Sequence, residues 1–253
     1  MFSLTPPQAK SGTFHQLTSL IHWSLIRHKY LLPVFTVVQI FLSIAIIYGL
    51  GIMFPELTHE MSIYLSSGAV SLGIIAVGCV LSGQIINTAK NEGVVDYQKS
   101  LPVSRVNILL ADIIIWGFAS LPGIFMSFLA SFLRFDLEIH FSIVGIFILA
   151  LCQVSMILIG FTIAYWFPEN MVALFSQIIM IGGLLFSPIT YSPERLPEWT
   201  SNIYNSFPFV PSSRLIRTLF FERGEISLRD ISVIWVWLIF CFILSLQALK
   251  KRG

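Results

Sequence analysis

The sequence predicts an all-α integral membrane protein: six transmembrane helices, an N-terminal amphipathic interfacial helix, and short re-entrant or external helices before the last span. Three observations carry that prediction. Of 253 residues, 56% are hydrophobic and only 11% charged, against about 25% charged in ordinary soluble domains. The apolar residues gather into runs near the roughly 20 residues that a helix needs to cross about 30 Å of hydrocarbon. The ten-residue alternating segments of a barrel are missing, and lipid leaves helices as the other way to satisfy every backbone group. A net charge of +2 and three cysteines argue against a disordered chain, a nucleic-acid binder or a disulfide scaffold.

Taken in order, residues 1–30 form a polar N-terminal region. Within it Phe14, Leu17, Ile21 and Leu25 share one helical face, with His15, Thr18, His22 and Lys29 spread over the rest. That pattern reads as a helix lying on the membrane, the alternative being a plain polar lead-in. The region is too polar, and the next apolar run too long, for a cleavable signal peptide. One transmembrane domain, 31–249, then holds spans at about 31–54, 63–86, 108–133, 141–167, 171–189 and 231–249. The fifth, between Pro168 and Pro188, is just long enough. Cys79, Cys152 and Cys241 fall inside spans and read as small buried hydrophobes.

Basic residues orient the chain. Lys10, Arg27 and Lys29, then Lys90, Lys99 and Arg105, then the tail 250–253 with Lys250, Lys251 and Arg252 share one side if both termini are cytoplasmic. A multi-pass protein of the cell membrane is expected. Segment 190–230 carries Arg195, Arg214, Arg217, Arg223 and Arg229 on the opposite side and breaks the pattern.

Two connecting segments stand out. Loop 87–107 concentrates Lys90, Glu92, Asp96, Lys99 and Arg105. Asn87 or Thr88 caps a helix predicted to run to about Ser100, with Pro102 ending it. Such a helix suits docking of a soluble partner, and charge alone does not distinguish that from a solvated connector. Segment 186–229 interleaves Pro188, Pro193, Pro197, Pro208 and Pro211 with Tyr191, Trp199, Tyr204, Phe207 and Phe209. Two pieces between the prolines, 194–207 and 211–223, are too short to cross and too aromatic to float in water, which suits interfacial or re-entrant helices.

Catalytic and metal chemistry finds no motif. The chain has no GxxxxGK[ST] loop, HExxH or GxSxG, and its five histidines are scattered, so no metal site is expected. Asp112 is the one acid within the spans and is expected to face the interface or pair with a base. Gln39, Gln84, Gln153 and Gln177 either tie helices together or meet a substrate. Ala69, Gly73, Gly78 and Ser82 permit close helix approach, and Gly182 and Gly183 loosen the fifth span or let it pack closely.

Two stretches carry a resemblance. Asn91-Glu92-Gly93-Val94-Val95-Asp96-Tyr97, continuing to Leu101-Pro102-Val103-Ser104-Arg105, is similar to the E-x-G-T-x-(E/D)-x-L-x-x-(T/L)-P-V-S-R stretch of the ABC-2 type transporter permeases. Leu185-Phe186-Ser187-Pro188-Ile189, Leu196-Pro197, Phe207-Pro208-Phe209-Val210 and Arg214-Leu215-Ile216-Arg217 resemble the signature before that family's last helix. The chain departs from it at Ala89-Lys90-Asn91 and in having Phe207-Pro208 for the usual Asn-Pro.

The resemblance implies a permease subunit of an ATP-driven exporter, paired with a like subunit as homodimer or heterodimer, with two separate ABC ATP-binding subunits attached. Loop 87–100 becomes the coupling helix, with Lys90, Glu92, Gly93, Asp96 and Tyr97 at the partner. Helices two and five line the path at the dimer interface, making Gly73, Gly78, Gln84, Gln177 and Phe186 candidates. Pro188, Trp199, Pro208 and Arg214 belong to the external helices that cap its exit. No cofactor is expected on this chain, ATP and Mg lying on the partner, and the expected partners are protein and membrane lipid, not nucleic acid. The substrate is expected to be an amphiphile: drug, lipid, peptide or lipid-linked glycan. A membrane anchor or sensor that does not transport, and less readily an intramembrane enzyme, are the alternatives.

Overall fold

The computed structural model describes residues 13–53, 58–191 and 203–250. Among these the chain is helical with no strand. Helix α1 is Thr13–His28. The spanning helices are α2 (Leu31–Leu50), α3 (His59–Asn91), α5 (Arg105–Phe135), α6 (Ile143–Trp166) and α9 (Leu228–Lys250). Between α3 and α5 lies α4 (Val94–Ser100). Shorter helices α7 (Glu169–Leu185) and α8 (Phe209–Arg217) precede α9. Among the described residues five helices are thus long and apolar enough to cross a bilayer, and α7 is shorter. The structure is that of an all-α integral membrane protein.

α3 is buried along most of its length, whereas α2 and α9 bury only narrow stripes. Its central place depends on small residues. A Cβ on Gly78 would sit 2.7 Å from the Met156 side chain, and one on Gly160 would fall on the Gly78 carbonyl. The backbones of α3 and α6 therefore meet, with α3 widening into a π-type turn over Ala76–Leu81; small residues allow such contact where lipid supplies no hydrophobic drive.

Polar side chains lock the other helices. Gln39 of α2 donates to the Ala119 carbonyl at 2.9 Å, and Ser43 donates to that of Gly123 at 3.0 Å, on either side of Pro122 in α5. Gln153 of α6 donates to the Gly117 carbonyl and Ser120 of α5, and Trp166 of α6 to the Leu244 carbonyl of α9 at 3.1 Å. Two of the four intramembrane glutamines, Gln39 and Gln153, are therefore interhelical clamps.

The N-terminal helix α1 forms and packs on α5. Phe14 and Leu25 are exposed, while Leu20, Ser24 and His28 are buried. Leu20, with Leu17 and Ile21 beside it, packs on Ile108 and Ala111 of α5, and Asn107 donates to the Thr13 carbonyl at 3.2 Å. The His28 Nδ1 bonds the Ser24 carbonyl at 2.9 Å. Asp112, expected to face the interface or pair with a base, is buried in α5.

Candidate functional site

The site begins where α3 ends. Glu92 N–H donates to the Thr88 carbonyl at 2.9 Å and Gly93 N–H to that of Lys90 at 3.1 Å, while Gly93 takes a left-handed φ of 76°. This is a glycine C-cap. It corrects the single helix expected from residue 87 or 88 to Ser100: 87–91 belong to α3, and α4 is a separate seven-residue helix. Arg105 closes the other end of α4 by donating to the carbonyls of Gln98, at 3.1 Å, and Lys99.

One face of α4 is buried through Val95 and Gln98. The other presents Asp96 and Tyr97, with Tyr97 57% exposed. Glu92 and Gly93 are exposed beside them. Asp96 accepts from Lys99 at 3.0 Å, and Glu92 lies 3.7 Å from Arg27 of α1. Four of the five residues picked for docking thus share one accessible edge. Lys90 turns inward: its Nζ donates to the carbonyls of Ala164 (3.3 Å), Tyr165 (3.1 Å) and Phe167 (3.0 Å) at the end of α6. Beside it Asn91 donates to Glu169 of α7 at 2.8 Å. Sequence reasoning missed Asn91 and Glu169; the acid directly after Pro168, at a helix start, was the available signal.

The residues picked for a pathway are spread out. Gly78 is used in packing α3 on α6, whereas a Cβ on buried Gly73 would meet nothing within 4 Å. Gln84 is half-buried and Gln177 exposed. Phe186 ends the π-type turn Gly182–Phe186 that closes α7. A cavity of about 270 Å³ lies between this end of α7 and α8, lined by Gly182, Gly183, Ser187, Tyr204 and Val210 among others.

In the segment before α9, Pro188 is buried and Pro208 is the N-cap of α8; Trp199 lies outside the described residues. Arg214 donates to both carboxylate oxygens of buried Asp230 in α9, at 3.1 and 3.2 Å, and to Asn205 at 2.7 Å. Arg217 is buried too, its guanidinium 3.6 Å from the Tyr64 ring centroid. It donates to Ser67 Oγ at 3.2 Å and the Ile189 carbonyl at 3.4 Å, joining α8 and the 187–191 turn to α3. Among the described residues no group of three His, Cys, Asp or Glu is placed to hold a metal.

Long apolar helices, polar clamps between them, and a short helix exposed between two spans define a polytopic membrane protein. A family model described as ABC-2 type transporter matches residues 15–221. The chain belongs to that family and is the membrane, or permease, subunit of a transporter. No individual curated protein matches it.

Proposed function

We propose that this permease works in an ATP-driven exporter, in which α4 docks on a separate ABC ATP-binding subunit. The observation that carries this reading is the edge of α4: Asp96 and Tyr97 face outward while Val95, Gln98 and the Arg105 cap fix the helix from behind. An exposed tyrosine on a fixed helix is an interface anchor in search of a pocket. The basic residues around α1, α4 and the tail support a cytoplasmic position for both termini.

Two permeases pair, and Met171, Leu174, Ile178, Ile181 and Leu185 of α7 support this as an exposed apolar row on a helix shorter than the other spans. Mg-ATP on the partner supplies the energy. Movement of α4 then biases the bundle between two states. The near absence of charge from the spans favours an amphiphile as cargo; drug, lipid, peptide and lipid-linked glycan share that chemistry.

The test is affinity isolation of the tagged chain from its own membranes. An ABC ATP-binding subunit is expected to co-isolate. The double substitution Asp96→Ala with Tyr97→Ala is expected to lower its recovery about ten-fold, the loss of roughly 1.4 kcal/mol, with insertion unchanged. Absence of such a subunit, or equal recovery with the variant, refutes the docking role.

A further inference from the structure

Lys90 was expected at the partner surface, yet it is spent inside the protein. The last carbonyls of a helix lack intrahelical donors and carry the negative end of its dipole. Lys90 Nζ meets three carbonyls in that region of α6, those of Ala164, Tyr165 and Phe167, all within 3.3 Å. One residue on, Asn91 bonds Glu169 at 2.8 Å, in the first turn of α7. Only Phe167 and Pro168 separate α6 from α7, and the Phe167 ring packs on Phe175 of α7 with centroids 4.9 Å apart. The α3–α4 corner is thereby fastened to the α6–α7 corner.

The same two bodies are fastened along their length. Gly83 lies against the Gly160 backbone, and Gly78 against Met156 and Ile157. The partners rise together in sequence, so α3 and α6 run parallel and end at the same level, where Lys90 closes the seam. We infer that Lys90 and Asn91 are the transmission contacts of this permease: a displacement of α4 reaches α7 through the α6–α7 corner, in addition to α3 and α5 through the chain. This rests on the proposed docking of α4. Lys90 is a positioning residue in this role. The charge matters because it holds carbonyl groups, and the reach matters because three of them must be met at once.

Spin labels on cysteines at Ser100 and Asn170, both exposed, report the two corners; Cys79, Cys152 and Cys241 are buried. In the full chain in lipid nanodiscs, a single narrow distance is expected. Lys90→Met, which keeps the stem and loses the cation, is expected to broaden the distribution and shift it to longer distance, and Lys90→Arg to restore it. In the complex with its ATP-binding subunit, ATP with vanadate is expected to change the distance from Asn170 to a label at Ser232 of α9 while Ser100–Asn170 stays fixed. In Lys90→Met, Ser100–Asn170 is expected to change and Asn170–Ser232 to stay as without nucleotide.

An unaltered narrow distribution in Lys90→Met, or an α7 displacement equal to wild type, overturns the inference. If Lys90→Met fails to insert, Asn91→Ala, which leaves the lysine in place, carries the same comparison. If no ATP-binding subunit associates, the docking proposal falls, while the measurement on the chain alone still decides whether the corners are fastened.

Discussion

Arg214 and Arg217 lie one turn apart on α8 and are held in different ways. Arg217 meets a tyrosine ring, a hydroxyl and a carbonyl, neutral partners that tolerate a cation without fixing its charge. Arg214 meets a carboxylate, and the two ends of that pair are unequal: its side chain is 40% exposed and that of Asp230 only 2%. Breaking a buried pair costs about 3–5 kcal/mol, mostly from the charge left behind, and exposure of the arginine reduces that figure. Arg214→Gln, which strands Asp230, is therefore expected to destabilise by about 2–3 kcal/mol. Asp230→Asn, which leaves the arginine access to water, is expected to cost less. Thermal unfolding of the two variants in the same detergent checks the order, and equal midpoints contradict it. The sequence singles out Arg214 by its place in a motif, but a partner sixteen residues away in another helix has no local signature.

At the scale of elements, hydropathy locates the spans well because burial in lipid depends on composition over about twenty residues. Expected spans 108–133 and 141–167 correspond to α5 and α6, and 63–86 to the middle of α3. What composition does not reveal is which polar residues turn inward. Ser24 and His28 carry no apolar signal in the sequence, yet they are buried where α1 meets α5, His28 Nδ1 bonding the Ser24 carbonyl and its ring lying 5.7 Å from that of Trp116. The Gly93 stop was legible as Asn-Glu-Gly, but helix-favouring residues on both sides hid it.

The buried histidine makes the docking of α1 sensitive to pH. Burial, and secondarily Arg27, hold its pKa below the ordinary 6.5, against a smaller opposing effect of the Ser24 hydrogen bond. Released from α5, the ring binds a proton more readily than when docked. Its contribution is therefore full above about pH 6.5 and falls as pH drops from there through the lowered value. A cysteine at buried Leu20 is expected to label faster at pH 5.5 than at 7.5, and His28→Gln to flatten the difference. Labelling of the unsubstituted histidine protein that is flat across this range contradicts the account.

For the molecule as a whole, the scarce charges have been sorted into three uses. Some close structural seams, as Lys90 does with α6 and Arg214 with Asp230. Some sit on the α4 edge, where Glu92 and Asp96 face outward. Arg27 joins the two, reaching from α1 to Glu92. The family was legible from two stretches, 91–105 and 185–217, and the exposed edge from the first of them, because its residues lie close together in sequence. The candidate pathway residues were not: on the proposed pairing of two permeases the route is made of faces that one chain leaves open, and Gln177 on α7 is exposed in the single chain.

The proposed function requires that a partner's ATP hydrolysis enter the bundle at α4. A photo-crosslinking amino acid at Tyr97, with a control at exposed Ser232 of α9, addresses this in intact membranes of the native host. An adduct between Tyr97 and an ABC ATP-binding subunit is expected, with none from Ser232. No adduct at Tyr97, or the same adduct from both positions, would contradict the proposal.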